Sequence, residues 1–540
     1  MVDLNEACNN HSKKRHPFQM KIRTVNHKFH LLTSKKHTFS RASQEAEHKK
    51  SGHTLHLGTK AKYVIVCIII VIMIGSIFAV LQNASPSTPP NIVPESSDNP
   101  TGGPSPTNQQ TPGATKTPYT NPSSTGNPHG PWIGPEPTPT PIAAHPPGTI
   151  AKAQVMNRSV WAQVANEVWA YFQSGTGVDP NTGLPGAVSG YPYFTDWDLG
   201  VYIQAVLDAQ KLGLISKDGD WGADYRFDKV LNFLETRPLN ETTNYPFWFY
   251  QAGDSKNYEP QSNLATVKVD AVDTGRLFVA LSNLRGYNAS ASWVNRVNAT
   301  RINNIVLHGR SNYAALIPDI MNEAGSSSIY SYYVCSGYAA FWPQVAYVPG
   351  KILANILNAP PVTVNTNGTV TLPNAEISCE PLLHAVFELN ISSSERSKLM
   401  NFTKQVYLAH EEYHNLTQKW VAFSEGNSEG QTFLYEWVIA PDVGSWKVTT
   451  IDKKIIEPYN THPIIYSKVA LSFLALYNTT YAKDLSVYIE NSLPLPTIGW
   501  SDGADYTFAV EDRNLVTSVG SNTNGMILSA AAYFIQNNPS

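Results

Sequence analysis

The residues of this chain best suited to chemistry are carboxylates. Two carboxyl groups flanking a glycosidic bond, one protonated and one ionised, are enough to hydrolyse it. Six acids stand where such a pair could form: Asp196, Asp198, Asp273, Glu425, Glu429 and Asp502. Asp196 and Asp198 flank Trp197. In extended backbone their side chains would share one direction, and Trp197 would offer a face to a sugar ring. Asp just before an apolar-periodic helix also serves as an N-cap, a reading that stands beside the catalytic one for Asp198 and Asp273. Asp196 has no evident capping duty, so Asp196 and Glu425 are the expected acid/base pair, with Asp198 or Asp273 assisting. Inversion is expected, which needs carboxyl groups about 6.5–9.5 Å apart. Glu425 and Glu429 belong to a polar, glycine-rich stretch, Phe423-Ser-Glu-Gly-Asn-Ser-Glu-Gly-Gln, which reads equally as a solvated turn. Glu436, between Tyr435 and Trp437, reads as a buried hydrogen-bonding group. Substrate contacts are expected from Trp197, Tyr193, Trp248, Trp500, Glu429 and Asp502, and Tyr250 and Trp342 could join that wall.

A competing motif is His410-Glu-Glu-Tyr-His414. On a helix, H-E-x-x-H brings two imidazoles one turn apart to bind zinc, with Glu411 as base. Against a zinc peptidase, Glu412 puts a charge in a spacer usually kept uncharged, and Asn415 is a sequon asparagine. The alternative is a solvated helix end. No G-x-x-x-x-G-K-[ST] phosphate loop and no G-x-S-x-G nucleophile elbow is present, which argues against phosphoryl transfer and α/β-hydrolase chemistry. The leading reading calls for no cofactor.

These candidates need elements to hold them, and the periodicity supplies helices. From Asp198, the residues Tyr202, Ala205, Val206, Ala209 and Leu212 fall on one helical face, and Gly213 supplies a stop. Asp273-Thr-Gly repeats the Asp-x-Gly opening, with Leu277, Phe278, Leu281 and Leu284 facing inward. Residues 225–234 form a helix that could return antiparallel, and 396–420 are helical in pattern. Segments 469–477 and 526–534 are apolar on nearly all sides, as inner helices covered by outer ones would be. The pattern is that of an α/α-hairpin array, open or closed into a toroid. Strand-like runs are few; residues 362–372, centred on Asn367-Gly368, form the best hairpin candidate.

Six motifs occur in one order: Tyr193-Phe-Thr-Asp-Trp-Asp-Leu-Gly, Val272-Asp-Thr-Gly, Phe423-Ser-Glu-Gly, Thr432-Phe-Leu-Tyr-Glu-Trp, Gly499-Trp-Ser-Asp-Gly and Ser521-Asn-Thr-Asn-Gly-Met-Ile-Leu. Together they resemble a bacterial domain of unknown function, the one numbered three-one-three-one. That domain is similar in turn to glucoamylase-like and β-glucanase-like (α/α)6 proteins. Over residues ~155–535 the resemblance implies a mainly α, (α/α)6-toroid-like fold and carbohydrate chemistry.

The rest of the 540-residue chain has other duties. Residues 1–62 hold 13 Lys/Arg against 4 Asp/Glu and no helical or strand period, a disordered basic tail. Residues 63–81 are nineteen uncharged positions, about 28 Å as a helix and so long enough to span a bilayer. The basic excess before them orients the tail to the cytoplasm. The expected protein is a single-pass, signal-anchored component of the cell membrane with its C-terminal domain extracytoplasmic. Residues 82–150 are rich in Pro, Thr and Ser, a semi-stiff linker, and 151–540 form the α/α-toroid domain. Beyond the apolar segment stand 26 Lys/Arg and 38 Asp/Glu, a balance against nucleic-acid binding. Ten N-x-S/T sequons, from Asn83 to Asn478, suggest a glycoprotein. The two cysteines of this part, Cys335 and Cys379, are expected to pair as a disulfide. The function expected is a glycoside hydrolase acting on a polysaccharide. The alternatives are a non-catalytic glycan-binding or structural domain and the zinc peptidase.

Overall fold

The structure is a computed structural model that describes residues 147–253, 271–427, 433–457, 459–493, 497–505, 514–515 and 518–538. The basic tail, the apolar segment 63–81 and the linker up to residue 146 lie outside the described residues. Among the described residues, no helix is long and apolar enough to cross a membrane.

The domain is mainly helical. Outer and inner helices alternate along the chain: α1 (Arg158–Trp169), α2 (Asp196–Leu212), α3 (Ala223–Thr236) and α4 (Ala271–Arg285) come first. After the short helix Ala299–Asn303 follow α5 (Ile329–Ala339), α6 (Val348–Asn358), α7 (Cys379–Glu388) and α8 (Ser393–Thr417), then α9 (Ser467–Tyr477), α10 (Thr480–Ser492) and α11 (Ser521–Asn537). The inner helices α2, α4, α5, α7, α9 and α11 touch in cyclic order, α11 returning to α2. On their outer side α1 packs on α11, α3 on α2, α6 on α5, α8 on α7 and α10 on α9.

The inner helices are buried nearly all round, as their sequences require. In α2 every residue from Asp196 to Ala209 is buried, and in α9 every residue from Ser467 to Ala475. Small residues let neighbours approach. A Cβ on Gly200 of α2 would lie 3.0 Å from the Arg276 carbonyl oxygen of α4, and one on Gly275 would lie 2.6 Å from Val334 Cβ of α5. A Cβ on Gly337 of α5 would collide with the Gly275 carbonyl oxygen. Both Asp-x-Gly glycines are therefore helix-packing residues. The outer helix α3 keeps an apolar inner face, with Phe227, Val230, Leu231 and Leu234 in the core.

The strands are short and sit mostly in the connections. β1 (Tyr193–Phe194) pairs antiparallel with β2 (Tyr250–Gln251). The expected hairpin forms as β3 (Pro361–Thr363) and β4 (Thr371–Pro373), with Val362 opposite Leu372 and Asn367 left-handed at φ 63°. β5 (Glu425–Asn427), β6 (Phe433–Ala440) and β7 (Gly444–Thr449) make one three-stranded sheet in that order. β8 (Ile465–Tyr466), β9 (Gly503–Asp505) and β10 (Asn514–Leu515) make another, with β9 central.

The expected disulfide is absent. Cys335 and Cys379 are buried free thiols. Cys335 lies within α5, while Cys379 opens α7 with its Sγ against His410 Nε2 at 3.8 Å. Burial pushes both thiols up, so neither is a ready thiolate.

Candidate active site

The first turns of the inner helices meet at one end of the ring. Ser521 of α11 donates to Asp198 of α2 (3.0 Å). Next to it, Asn522 donates through Nδ2 to Glu380 of α7 (2.6 Å) and accepts through Oδ1 from His384 Nε2 (3.1 Å). Lys468 of α9 is ion-paired with Glu380 and also donates to the Glu425 carbonyl oxygen at 2.6 Å. Trp197 of α2 packs edge-on against Tyr333 and His384 and tilted against Tyr330.

Glu425 lies at the centre of this end. It begins β5 opposite Tyr435 and is fully buried. Among the described residues neither of its carboxyl oxygens makes a hydrogen bond of normal geometry, although the Ser378 hydroxyl stands near them, and Ser424 Oγ and Tyr466 OH are likewise unmet. Tyr466 leans over the adjacent Gly426, where a Cβ would lie 3.2 Å from its hydroxyl. Burial, then the neighbouring Glu380, push the Glu425 carboxyl well above the usual range, and the Ser378 hydroxyl and Lys468 oppose them too weakly. Glu425 is thus an acid kept protonated beside a carboxylate that is ion-paired.

Behind Glu380 the network alternates in sign. His384 Nδ1 lies 2.7 Å from Glu388, which also accepts from Arg276 (2.9 Å) and from the Tyr333 hydroxyl (2.6 Å). Burial alone would raise the Glu388 carboxyl, yet Arg276 and His384 together hold it low. Both ring nitrogens of His384 face oxygens, Nδ1 that of Glu388 and Nε2 that of Asn522.

The other expected acids divide. Asp196 is buried at the start of α2 in an ion pair with Arg237 (2.6 Å), which also donates to the Tyr313 hydroxyl. No hydrogen bond or ion pair joins it to Glu425 among the described residues, so the acid that the structure sets beside Glu425 is Glu380. Asp198 does cap α2: Thr195 is the N-cap, and Asp198 accepts from the Thr195 N–H (3.0 Å) in a capping box. Burial raises Asp198 in spite of these bonds. Asp273 stands half-buried in the first turn of α4 and accepts from Trp248 Nε1 (3.0 Å). Asp502 is buried, accepts from Ser518 Oγ (2.8 Å), and is likewise raised by burial. Glu429 lies outside the described residues. Glu436 is a buried acceptor for the Ile464 N–H (2.8 Å), as its aromatic flanks suggest.

Of the aromatic candidates, Tyr193 and Trp248 are half-buried at this end. Trp197 is only 9% exposed and is enclosed by aromatic neighbours, so it offers no open stacking face. Trp500, Tyr250 and Trp342 belong to the core; Trp500 Nε1 donates to Glu167 (3.1 Å). Half-buried Tyr330 and Tyr435 take the expected place. The sequence reading passed over Glu380, Lys468 and Asn522. The signal available was a charged or amide side chain opening a helix otherwise apolar all round.

The H-E-x-x-H segment does form helix, within α8, but its two imidazoles have separate surroundings. His410 is fully buried, with Nδ1 on the Val406 carbonyl oxygen (2.8 Å) and Nε2 facing the Phe423 N–H and Cys379. Burial pulls it down to about 4. His414 is stacked on Trp420 at 3.6 Å with Nδ1 toward the Lys419 carbonyl oxygen (3.2 Å). The two rings do not converge as ligands of one ion, and no group of three His, Cys, Asp or Glu side chains among the described residues is placed to hold a metal.

A helical ring with its polar residues gathered at one end is the class of protein that fold and site define. Residues 163–537 match the family described as protein of unknown function DUF3131, and the chain belongs to that family. Among the curated proteins none matches the chain in sequence. Similar solved structures include a putative glucoamylase from Bacteroides caccae, with 14% identity, TM-score 0.49, and coverage of 70% of this chain and 94% of that one. Another is the endo-β-1,2-glucanase from Chitinophaga pinensis in complex with sophorotriose and glucose, with 13% identity, TM-score 0.49, and coverage of 70% and 93%. A third is the endo-β-1,2-glucanase from Talaromyces funiculosus with sophorose, with 10% identity, TM-score 0.49, and coverage of 73% and 90%.

Proposed function

We propose that this protein is a glycoside hydrolase built on an (α/α)6 toroid and acting on a polysaccharide at the end of the ring where the inner helices begin. One observation carries the reading: Glu425, a buried carboxyl whose oxygens make no hydrogen bond of normal geometry among the described residues, is held protonated beside the ion-paired Glu380. A protonated acid beside a second carboxyl group is what acid-assisted glycoside cleavage needs. Glu425 is the proton donor to the leaving oxygen. Glu380, fixed by Lys468 and Asn522, is the partner carboxylate, and Tyr330, Tyr435 and Trp248 form the aromatic wall. The apolar segment 63–81 anchors the chain in the membrane, and residues 82–150 hold the domain outside and away from it.

The test is release of reducing ends from a panel of polysaccharides by the purified chain, with Glu425→Gln and Glu380→Gln as paired variants. Both variants should lose at least a hundredfold in turnover while glycan binding persists. Turnover equal to the parent's in Glu425→Gln would refute the assignment. A second reading, glycan binding without catalysis, draws on the complete burial of Glu425; saturable binding with no turnover by the parent chain would establish it.

A further inference from the structure

The charges and the orphaned polar atoms at the mouth of the ring also bear on which glycan it takes. Tyr330 has the acids Glu425, Glu380 and Asp273 around it, and Tyr466 has Glu436, Asp502, Glu425 and Glu380. Asp198 adds a further carboxylate beside Ser521. The cations that meet these acids among the described residues are already committed. Lys468 is held by Glu380 and the Glu425 carbonyl oxygen, and Arg276 is held by Glu388. Neither Lys468 nor Arg276 is left free to receive a carboxylate or sulfate ester.

The unmet hydrogen-bonding groups are of another kind. Trp197 Nε1 is a donor without an acceptor, Tyr466 OH can donate or accept, and both Glu425 oxygens lack partners; all three side chains are more than nine-tenths buried. A sugar hydroxyl both donates and accepts, so hydroxyl groups can satisfy all of these atoms without bringing charge. An anionic group would be desolvated among acids, and each of them that is ionised would repel it. We propose that the site takes an uncharged glycan and rejects anionic ones such as uronate-bearing or sulfated polysaccharides. This rests on the reading of this end of the ring as the substrate site.

The experiment uses the full chain and matched pairs of polymers: neutral glucans of several linkages, each beside its C6-oxidised derivative, in which primary hydroxyls have become carboxylates. Binding is read by affinity electrophoresis and cleavage by reducing ends. For whichever linkage is recognised, the neutral polymer should bind at least tenfold more tightly at low ionic strength, and the gap should narrow as salt is added. Asp502→Asn should narrow it at constant salt. Equal or tighter binding of the carboxylated polymer overturns the inference, and cleavage of that polymer would do so while leaving the hydrolase reading intact. Preferential binding of the neutral polymer without cleavage overturns the hydrolase reading and leaves this inference standing. Binding of neither polymer at any linkage overturns both.

Discussion

Replacing Asp196 by Asn separates a structural acid from a catalytic one. Asp196 was the stronger acid/base candidate from the sequence, yet it sits 1% exposed against Arg237, whose guanidinium is also fully buried. That guanidinium lies 5.4 Å from the Tyr250 ring centroid and 5.7 Å from that of Tyr313, with no other anion bonded to it among the described residues. Asn keeps the shape and removes the charge, leaving a buried cation uncompensated, a defect that costs about 3–5 kcal/mol. Unfolding entropy near 60 °C is about 2.1 cal/mol/K per residue, so a domain of about 390 residues changes by about 0.8 kcal/mol per degree. The expected fall in Tm is therefore about 4–6 °C by scanning calorimetry, with kcat on the best polysaccharide within about threefold of the parent's. Replacing both partners, Asp196→Leu with Arg237→Met, should recover at least half of the lost Tm, because neither charge is then stranded. Turnover abolished in Asp196→Asn with Tm unchanged to within about 1 °C would refute the structural assignment and restore Asp196 to the chemistry.

Other expectations follow from the same geometry. Glu425 keeps its proton in the folded chain at a pH where the unfolded chain has lost it, so its contribution to stability declines as pH rises from the ordinary carboxylate range through its raised value. Glu425→Gln should flatten that limb of a Tm-against-pH curve, and identical slopes would contradict the assignment. His410 has the opposite sign: held neutral down to about 4, it stabilises the fold fully above its unfolded value of about 6.5 and loses that contribution as pH falls toward 4. Between pH 7.5 and 5 the loss is about 2 kcal/mol, so His410→Gln should be less sensitive to acid than the parent over that interval in chemical denaturation. Gly337→Ala drives a methyl into the Gly275 carbonyl group between α5 and α4. It should cost about 1–3 kcal/mol, and a Tm equal to the parent's would mean that those helices can separate freely.

Much of the fold was legible because its helices obey simple rules. The apolar stripe from Tyr202 to Leu212 and the all-apolar runs near 470 and 530 appear as helices, each starting two to six residues before its periodic pattern does. Those extra residues include the charged and amide side chains of the site, and that is where the site reading strayed. At the head of an inner helix a carboxylate meets free N–H groups, the next helix and the mouth of the ring at once, so its sequence context is the same whether it caps, pairs or reacts. Asp198 caps, Asp196 pairs, and Glu380 stands beside the candidate acid. What separates them is the partner from another element: Ser521 for Asp198, Arg237 for Asp196, and Lys468 with Asn522 for Glu380. These partners lie 41 to 323 positions away along the chain, beyond the reach of any local pattern. Glu425 was legible for a different reason. No helix claims it, and a glutamate between aromatic segments with no local bonding duty is either exposed or held for chemistry; its burial without a partner removes the first alternative. The acid that a local pattern can identify is the one whose neighbours in sequence leave it unsatisfied, and an acid satisfied by its own helix is identified only once the ring has closed.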